Sequence, residues 1–361
     1  MVFAFCVGFA AALLLTLCVV RFGGTRSRDT DLSGPQKFHV RPVPRIGGLA
    51  IYAGFALAAG VWAFENQAIR GDTLWLLACS VPAFAAGLIE DLTKRVSPLQ
   101  RMLAIVLAAC LASLWLDAAI HRTDIPGLDW IASLGFGSVM LAVFVVAGVS
   151  NSINIIDGFN GLASMCSMIM LAGVAAVAIS VGDTWIAGSA LLTIAATMGF
   201  FVWNYPRGLV FLGDGGAYFL GFMLAELSIL LIGRHPEVSP LFPLVLCAYP
   251  VVETVFSMYR RRVLRGSAMG QPDGVHLHSL IYRRLLRWAK RTRDARVLTL
   301  RNSLTSPYLW ILCSLSTLPA ILFWDDTAML ALLLALYIAG YVIVYWRIVR
   351  FRTPRWLVSR R

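Results

Sequence analysis

The amino-acid sequence predicts an all-α, polytopic integral membrane protein. Of the 361 residues, 59% are hydrophobic and only 14% are charged, whereas a soluble chain carries about 25% charged residues. Apolar stretches of about 17 to 25 residues, the length that crosses a bilayer as a helix, recur along the whole chain. The basic residues also separate the polar connections into two groups, as they do in proteins that cross a membrane repeatedly.

We expect one transmembrane domain, residues 1–361, with about eleven membrane-spanning helices. The predicted spans are 2–20, 46–64, 73–89, 102–120, 131–150, 161–181, 184–203, 216–233, 240–258, 306–323 and 328–346. The first span has no basic segment before it and no clear small-residue cleavage site, which favours a retained helix over a cleaved signal peptide.

The basic residues predict the orientation. All of the 31 Lys and Arg residues except Arg70, Arg122 and Arg234 fall on the side that holds the C-terminus. Positive charge marks the cytoplasmic side, which predicts a periplasmic N-terminus, a cytoplasmic C-terminus and a basic cytoplasmic loop at 259–305. Topology and attraction to anionic membrane lipid explain most of the net charge of +12. No DNA- or RNA-binding motif occurs, so we expect no nucleic-acid partner.

Acidic residues of the cytoplasmic side occur where apolar spans begin or end. Glu90 and Asp91 close one span, Asp157 follows another, and Asp214 precedes a third in a glycine-rich turn. A single Asp in such a place is typical of a helix cap. Several on one side indicate a divalent metal that holds a polyanion, because Mg²⁺ prefers oxygen ligands and binds through few protein groups plus phosphates.

Five short motifs carry the most specific signal. In chain order they are RPVPRIGG, GLIEDLTKRVSP, NSINIIDGFNGLA, FLGDGGAYFLGF and PDGVHLHSL. Their order and cytoplasmic placement resemble the polyprenyl-phosphate N-acetylhexosamine-1-phosphate transferases. The resemblance implies an active site at the cytoplasmic face of the bacterial inner membrane. There, sugar 1-phosphate would pass from a UDP-N-acetylhexosamine to undecaprenyl phosphate and release UMP, with Mg²⁺ or Mn²⁺ as cofactor. A homodimer is compatible with the resemblance.

The chain departs from the family pattern at several positions. Glu90 stands where the family has the first Asp of a pair, Glu253 where it often has Asp, and Arg101 where many members have Lys. Ala217 and Ser279 stand where the motifs usually end in Ser and His. The Glu–Asp pair looks more like the subgroup that starts lipopolysaccharide O-antigen chains, and the identity of the sugar stays open.

The resemblance also implies roles for individual residues. Asn154 and Asp214 would be metal ligands. Asp91, with Glu90, would deprotonate or orient the lipid phosphate, and Asp157 would act near the nucleotide as a third candidate catalytic carboxylate. The other candidates are Lys94, Arg101 and Arg45 for the lipid phosphate, and Asn160, His276, His278, Arg262 and Arg265 for the nucleotide.

The sequence leaves open the structure of the basic segment and an alternative function. The segment from His276 to Arg301 combines apolar residues at helical spacing with many basic residues, which fits an amphipathic helix on the membrane surface. A plain basic loop has the same composition. A membrane transporter is the alternative function, but transporters place ionisable groups at the bilayer midplane, and here only Glu226 and Glu253 lie well inside predicted spans.

Overall fold

The computed structural model describes residues 1–24, 28–29, 42–264, 274–286 and 294–351. In this part of the chain, ten helices are long and apolar enough to cross a membrane. The predicted all-α, polytopic class is therefore confirmed. Three features of the predictions lie outside the described residues: Arg265, the middle of the proposed amphipathic segment (287–293) and the C-terminal residues 352–361.

The helices follow the predicted order along the chain. They are α1 (Val2–Phe22), α2 (Gly47–Glu65), α3 (Arg70–Thr93), α4 (Pro98–Leu116), α5 (Leu128–Ala132), α6 (Gly135–Ile156), α7 (Leu162–Ser180), α8 (Thr184–Asn204), α9 (Gly213–Arg234), α10 (Phe242–Leu246), α11 (Ala248–Tyr259), α12 (Leu277–Leu280), α13 (Ala295–Ser303), α14 (Ser306–Leu322) and α15 (Thr327–Val349). A 3₁₀ turn (Gln67–Ile69), two π-helical turns (Arg260–Leu264 and Ile281–Leu285) and an antiparallel pair of two-residue strands, β1 (Arg28–Asp29) and β2 (Val43–Pro44), complete the described structure.

The ninth predicted span, 240–258, is not a continuous helix. α10 ends at Leu246, and α11 begins after the single intervening residue Cys247. Pro250 explains the break, because it has no N–H to donate to the Leu246 carbonyl and its ring would clash there in an unbroken helix. Instead, the hydroxyl of Thr317 on α14 lies 3.5 Å from that carbonyl oxygen.

α9 is the central helix of the bundle. Its residues Gly213–Leu231 are all buried, as expected for a helix that is apolar on every side. α2, α3, α6 and α7 pack around it. A Cβ at Gly48 of α2 would overlap the backbone of Gly216, and a Cβ at Gly87 of α3 would overlap the backbone of Gly215. Small residues thus let three helices meet backbone to backbone, a common form of packing in membranes.

Backbone hydrogen bonds tie the segment before α2 to the start of α9. The N–H of Phe211 donates to the carbonyl of Pro44 at 2.8 Å. The N–H groups of Gly47 and Gly48 donate to the carbonyls of Phe211 and Leu212, at 3.0 and 2.9 Å. The chain between Pro44 and Gly47 is therefore held beside the first turn of α9.

The described part of the basic segment packs on the protein. Its apolar side chains are buried in the main core: Leu277, Leu280, Ile281 and Leu285. Arg284 donates to the carbonyl of Ile348, near the end of α15, at 3.0 Å. These apolar side chains therefore contact the helix bundle rather than lipid, which differs from the membrane-surface helix that their spacing suggested.

The contact between α3 and α9 predicts a strong effect of Gly87→Ala. The new methyl group would lie 2.5 Å from the backbone carbonyl carbon of Asp214, and backbone cannot move aside as a side chain can. Overpacking of this kind costs about 1–3 kcal/mol. We expect the purified variant to melt several degrees below the wild type in detergent, measured by intrinsic fluorescence.

Gly148→Ala is the matched control for this measurement. Gly148 is also inside a spanning helix, α6, but a Cβ there would meet nothing within 4 Å. Alanine has the better helix propensity, so this variant should melt at or slightly above the wild-type temperature. Equal melting temperatures for the Gly87 and Gly148 variants would contradict the proposed contact.

Candidate active site

Polar side chains meet at one end of the bundle. Asp214 lies in the first turn of α9, and Asp91 and Asn154 lie in the last turns of α3 and α6. Helix ends carry backbone groups that have no partner within the helix, so polar side chains are expected there. The predicted site residues that the fold brings together are Asp91, Asp214, Asn154, Asp157, Arg45 and Arg101.

Asp91 binds the start of α9 through its side chain. Its Oδ1 accepts the N–H of Asp214 and its Oδ2 accepts the N–H of Gly215, both at 3.0 Å. Only 2% of Asp91 is exposed. These N–H groups belong to the first turn of α9, whose partial positive charge favours an anion. Asp91 thus caps α9 from the neighbouring helix, and the helix-cap interpretation of the acidic residues holds for it.

Asp214 accepts hydrogen bonds from three side chains. Arg45 Nη2 lies 3.2 Å and Asn154 Nδ2 lies 3.0 Å from Asp214 Oδ1, and Arg101 contacts Oδ2. Arg45 Nε also lies 3.6 Å from Asp91 Oδ1. Two guanidinium groups therefore balance two buried carboxylates, which would be costly to bury without partners.

Asp157 ends α6 and lies beside this cluster. Burial raises the pKa of its carboxyl from the ordinary 3.8 to about 7. Arg45 and the backbone of Gly213 act in the opposite direction, while Asp214 and Asp91 raise the pKa further because they are also negative. Asp157 lies just outside the spanning helices, and a pKa of about 7 means that its carboxyl titrates near neutral pH.

Glu90 and Lys94 lie at the turn between α3 and α4. Glu90 Oε2 accepts the N–H of Val96 at 2.8 Å, and Lys94 ends α3 in a left-handed conformation with φ 57°. Adjacent residues on a helix point about 100° apart, which explains why Glu90 supports the turn while Asp91 binds α9. The two carboxylates therefore have different environments.

The two candidate nucleotide histidines lie beside the loop that follows Asp157. His276 Nδ1 lies 2.9 Å from Glu253 Oε1, and the rings of His276 and His278 stack at 5.1 Å. The His278 ring lies 5.4 Å from that of Phe159, two residues after Asp157. Both histidines are buried, whereas Arg262 is exposed on its π-helical turn.

Asn160 faces into the protein. Its backbone N–H donates to Asn302 Oδ1 at 2.9 Å, and its Nδ2 donates to the hydroxyl of Ser303 at 3.1 Å. The hydroxyl of Ser306 donates to the Asn160 carbonyl at 2.6 Å. These contacts favour a structural role for Asn160, which fastens the loop after α6 to α13 and α14.

Glu253 contacts the candidate residue His276, and Tyr341 contacts Glu253. The sequence predicted neither residue for the site. Tyr341 donates from its hydroxyl to Glu253 Oε2 at 2.7 Å. A signal for Glu253 was present, because an acidic residue inside an apolar span is a functional candidate by default. Tyr341 gave no signal, since a tyrosine in an apolar helix is common.

A divalent cation fits the donor chemistry of the cluster only in part. Within the described residues, no group of three or more His, Cys, Asp or Glu side chains could hold an ion. Mg²⁺ usually takes one or two protein oxygens and completes its shell with water and substrate phosphates. The carboxylate of Asp214 and the amide oxygen of Asn154, 60 residues apart in sequence but hydrogen-bonded neighbours, supply such a partial set.

The raised pKa of Asp157 predicts how stability depends on pH. A carboxyl whose pKa is higher when folded binds its proton more tightly in the folded state. Its contribution to stability is complete below the unfolded pKa and is lost as the pH rises from 3.8 through about 7. Asp157→Asn removes the titration. In metal-free detergent solution, the variant should gain in melting temperature over the wild type between about pH 5 and about pH 8.

The prediction compares the melting-temperature difference between variant and wild type at two pH values. Any effect of the substitution on stability that does not depend on pH therefore cancels. A melting-temperature difference that stays constant across this range would contradict the raised pKa. A difference that shrinks toward high pH would have the wrong sign.

Known proteins resemble this chain over most of its length. A family model described as glycosyl transferase family 4 matches residues 73–232. A probable undecaprenyl-phosphate N-acetylglucosaminyl 1-phosphate transferase of Bacillus subtilis (strain 168) is 31% identical over 283 residues, which are 77% of this chain and 76% of the relative.

Two more distant relatives carry similar names. Undecaprenyl-phosphate alpha-N-acetylglucosaminyl 1-phosphate transferase of Escherichia coli (strain K12) is 28% identical over 326 residues, 88% of this chain and 84% of the relative. Decaprenyl-phosphate N-acetylglucosaminephosphotransferase of Mycolicibacterium smegmatis is 26% identical over 347 residues, with 84% and 79% covered. The motifs, the helical architecture and these similarities agree, and the chain belongs to glycosyl transferase family 4.

Proposed function

We propose that this protein transfers an N-acetylhexosamine 1-phosphate from a UDP-sugar to undecaprenyl phosphate at the cytoplasmic face of the bacterial inner membrane. The main support is the cluster in which Asp91, Asp214, Arg45 and Arg101 surround the start of α9. Both substrates are anions with phosphate groups, and such a cluster offers cations and oxygen ligands together.

In the proposed reaction, an oxygen of the lipid phosphate attacks the β-phosphorus of the UDP-sugar. The bond between this phosphorus and the oxygen that bridges to UMP breaks, and UMP leaves with that oxygen. Repulsion between anions and charge on the transferring group are the main barriers. Bound Mg²⁺, held by Asp214 and Asn154, would supply Lewis-acid stabilisation of the diphosphate.

The chain's own groups supply positioning. Arg45 and Arg101 offer guanidinium forks that suit phosphate, and Lys94 adds an exposed ammonium group at the neighbouring turn. Asp157, with a pKa of about 7, can hold or release a proton at neutral pH. His276 and His278, which lie beside the loop after Asp157, would contact the nucleotide.

The relatives suggest N-acetylglucosamine as the first sugar to test, because their names carry it. Initiation of O-antigen or another envelope polysaccharide is the corresponding cellular role that we propose. The direct test is incorporation of radiolabel from a panel of UDP-N-acetylhexosamines into organic-extractable lipid by the purified protein. Uptake of a solute into vesicles without any labelled lipid would favour the transporter alternative.

Removal of divalent metal should abolish the activity. We expect no UMP release from enzyme treated with EDTA and full recovery when Mg²⁺ or Mn²⁺ is added in excess, because repulsion between the two phosphates is then offset again. The measurement is a coupled UMP assay with saturating undecaprenyl phosphate. EDTA that is already saturated with Mg²⁺ serves as the control for effects of the chelator itself. Full turnover in the chelated sample would remove the metal from the proposal.

Asp91→Asn should damage catalysis far more than Glu90→Gln. An Asn side chain has one oxygen and would set its NH₂ group against the N–H of Asp214 or Gly215, so the start of α9 would shift. We expect kcat to fall roughly 10²-fold or more, the scale for a misplaced catalytic group. Glu90→Gln keeps an oxygen for the N–H of Val96 and should retain most activity, as should Glu90→Asp.

Melting temperatures of these variants separate misfolding from loss of catalysis. The two neutral variants are matched in chemistry, since each replaces a carboxylate with its own amide on adjacent residues of α3. A larger loss for Glu90→Gln than for Asp91→Asn would reverse the assignment of the two carboxylates.

A further inference from the structure

The carboxylate of Glu253 holds several polar groups together deep in the protein. It is 1% exposed. Its Oε1 lies 2.9 Å from His276 Nδ1, its Oε2 accepts the hydroxyl of Tyr341 at 2.7 Å, and the N–H of Leu277 lies 3.2 and 3.3 Å from the two oxygens. The donors come from α12, from the residue before it and from α15. A buried carboxylate is retained only at high cost unless it is bonded in this way.

This arrangement fixes the orientation of His276. A carboxylate only accepts hydrogen bonds, so its bond to Nδ1 requires the proton on that nitrogen. The bond to the N–H of Leu277 holds the backbone beside the ring at the same time. With Nδ1 engaged, Nε2 is the nitrogen that His276 can offer to a ligand.

The fixed ring of His276 also positions His278. The two rings are nearly parallel, at 11°, with centroids 5.1 Å apart. His278 Nε2 lies 3.4 Å from the place where a Cβ of Gly158 would be. Glu253 is therefore linked through one imidazole to a second, which stands against the loop that carries Asp157.

We propose that Glu253 is a positioning residue that holds His276 and His278 against the loop at 157–159, where they meet the uridine diphosphate part of the sugar donor. This inference rests on the function proposed above. Glu253 itself is too enclosed to touch a substrate, and its effect passes through the histidines. A purely structural role, as a link between α11, α12 and α15, predicts instead an equal defect for both substrates and a lower melting temperature.

Kinetics with each substrate varied in turn distinguish the two roles. Glu253→Gln replaces one accepting oxygen with a donating NH₂ group, so His276, Leu277 and Tyr341 no longer share two accepting oxygens. We expect kcat/KM for the UDP-sugar to fall about 10-fold or more, the scale seen for hydrogen-bond partners of metal-binding histidines, while KM for undecaprenyl phosphate changes little. Glu253→Asp keeps the carboxylate, which the family often has, and should recover much of the loss.

Glu226→Gln is the matched control. Glu226 is another buried glutamate of a spanning helix, 1% exposed, and its oxygens have no hydrogen-bond partner among the described residues. This substitution should leave both KM values at the wild-type level. It shows how much of any change comes from loss of a buried carboxyl group alone.

A double-mutant cycle with His276→Ala tests whether Glu253 acts through the histidine. Once His276 is absent, Glu253→Gln should cause no further loss in kcat/KM for the UDP-sugar, because coupled residues are not additive. Losses that multiply, or a Glu253→Gln defect shared equally by both substrates and matched by a lower melting temperature, would overturn the inference and leave the proposed function intact. A wild-type protein that transfers no sugar phosphate would overturn the proposed function itself, and this inference with it.

Discussion

The hydrogen bonds from the start of α9 to the carboxylate of Asp91 are the interaction on which the site depends. The N–H groups of Asp214 and Gly215 are buried, and their helix offers them no acceptor. Asp91 reaches them because α3 and α9 touch through their backbones at Gly87 and Gly215. The same contact determines where the side chain of Asp214 stands. Close packing and placement of charge are therefore a single constraint at this end of the bundle.

The ion pairs around Asp214 share partners. Arg45 and Arg101 both contact its carboxylate, and Arg45 also approaches Asp91. Under the proposed function, a phosphate of the substrates would replace Asp214 as the partner of an arginine. A cation held by Asp214 would then balance this carboxylate, so that each charge would keep a partner when the substrates bind.

The structure brings six of the predicted site residues together, but the sequence did not predict their orientations. Asp91 and Asp214 could be placed together because apolar spans fix which loop ends share one side of a membrane. Glu90 accepts a hydrogen bond from Val96 because of the backbone path between α3 and α4. The spacing of apolar residues in the sequence does not predict this path. Pro250 did signal the break in the ninth span, but the apolar composition on both sides of it suggested continuity. Asn160 has the residue type of a ligand-binding group, and only the neighbours supplied by α13 and α14 direct it inward.

The contacts of Asn160 show that the site is built by more of the chain than the matched region 73–232. Asn302 and Ser303 hold one end of the loop after α6, and Asn204 Oδ1 accepts the N–H of Gly161 at 2.6 Å on its other side. A buried polar network of this kind is stable only when its members are satisfied together. The loop that carries Asp157 is therefore fastened by α8, α13 and α14, while Glu253 and α15 fasten the histidines opposite. The C-terminal helices α13, α14 and α15, which carry none of the five sequence motifs, therefore support both the loop after α6 and the residues around His276.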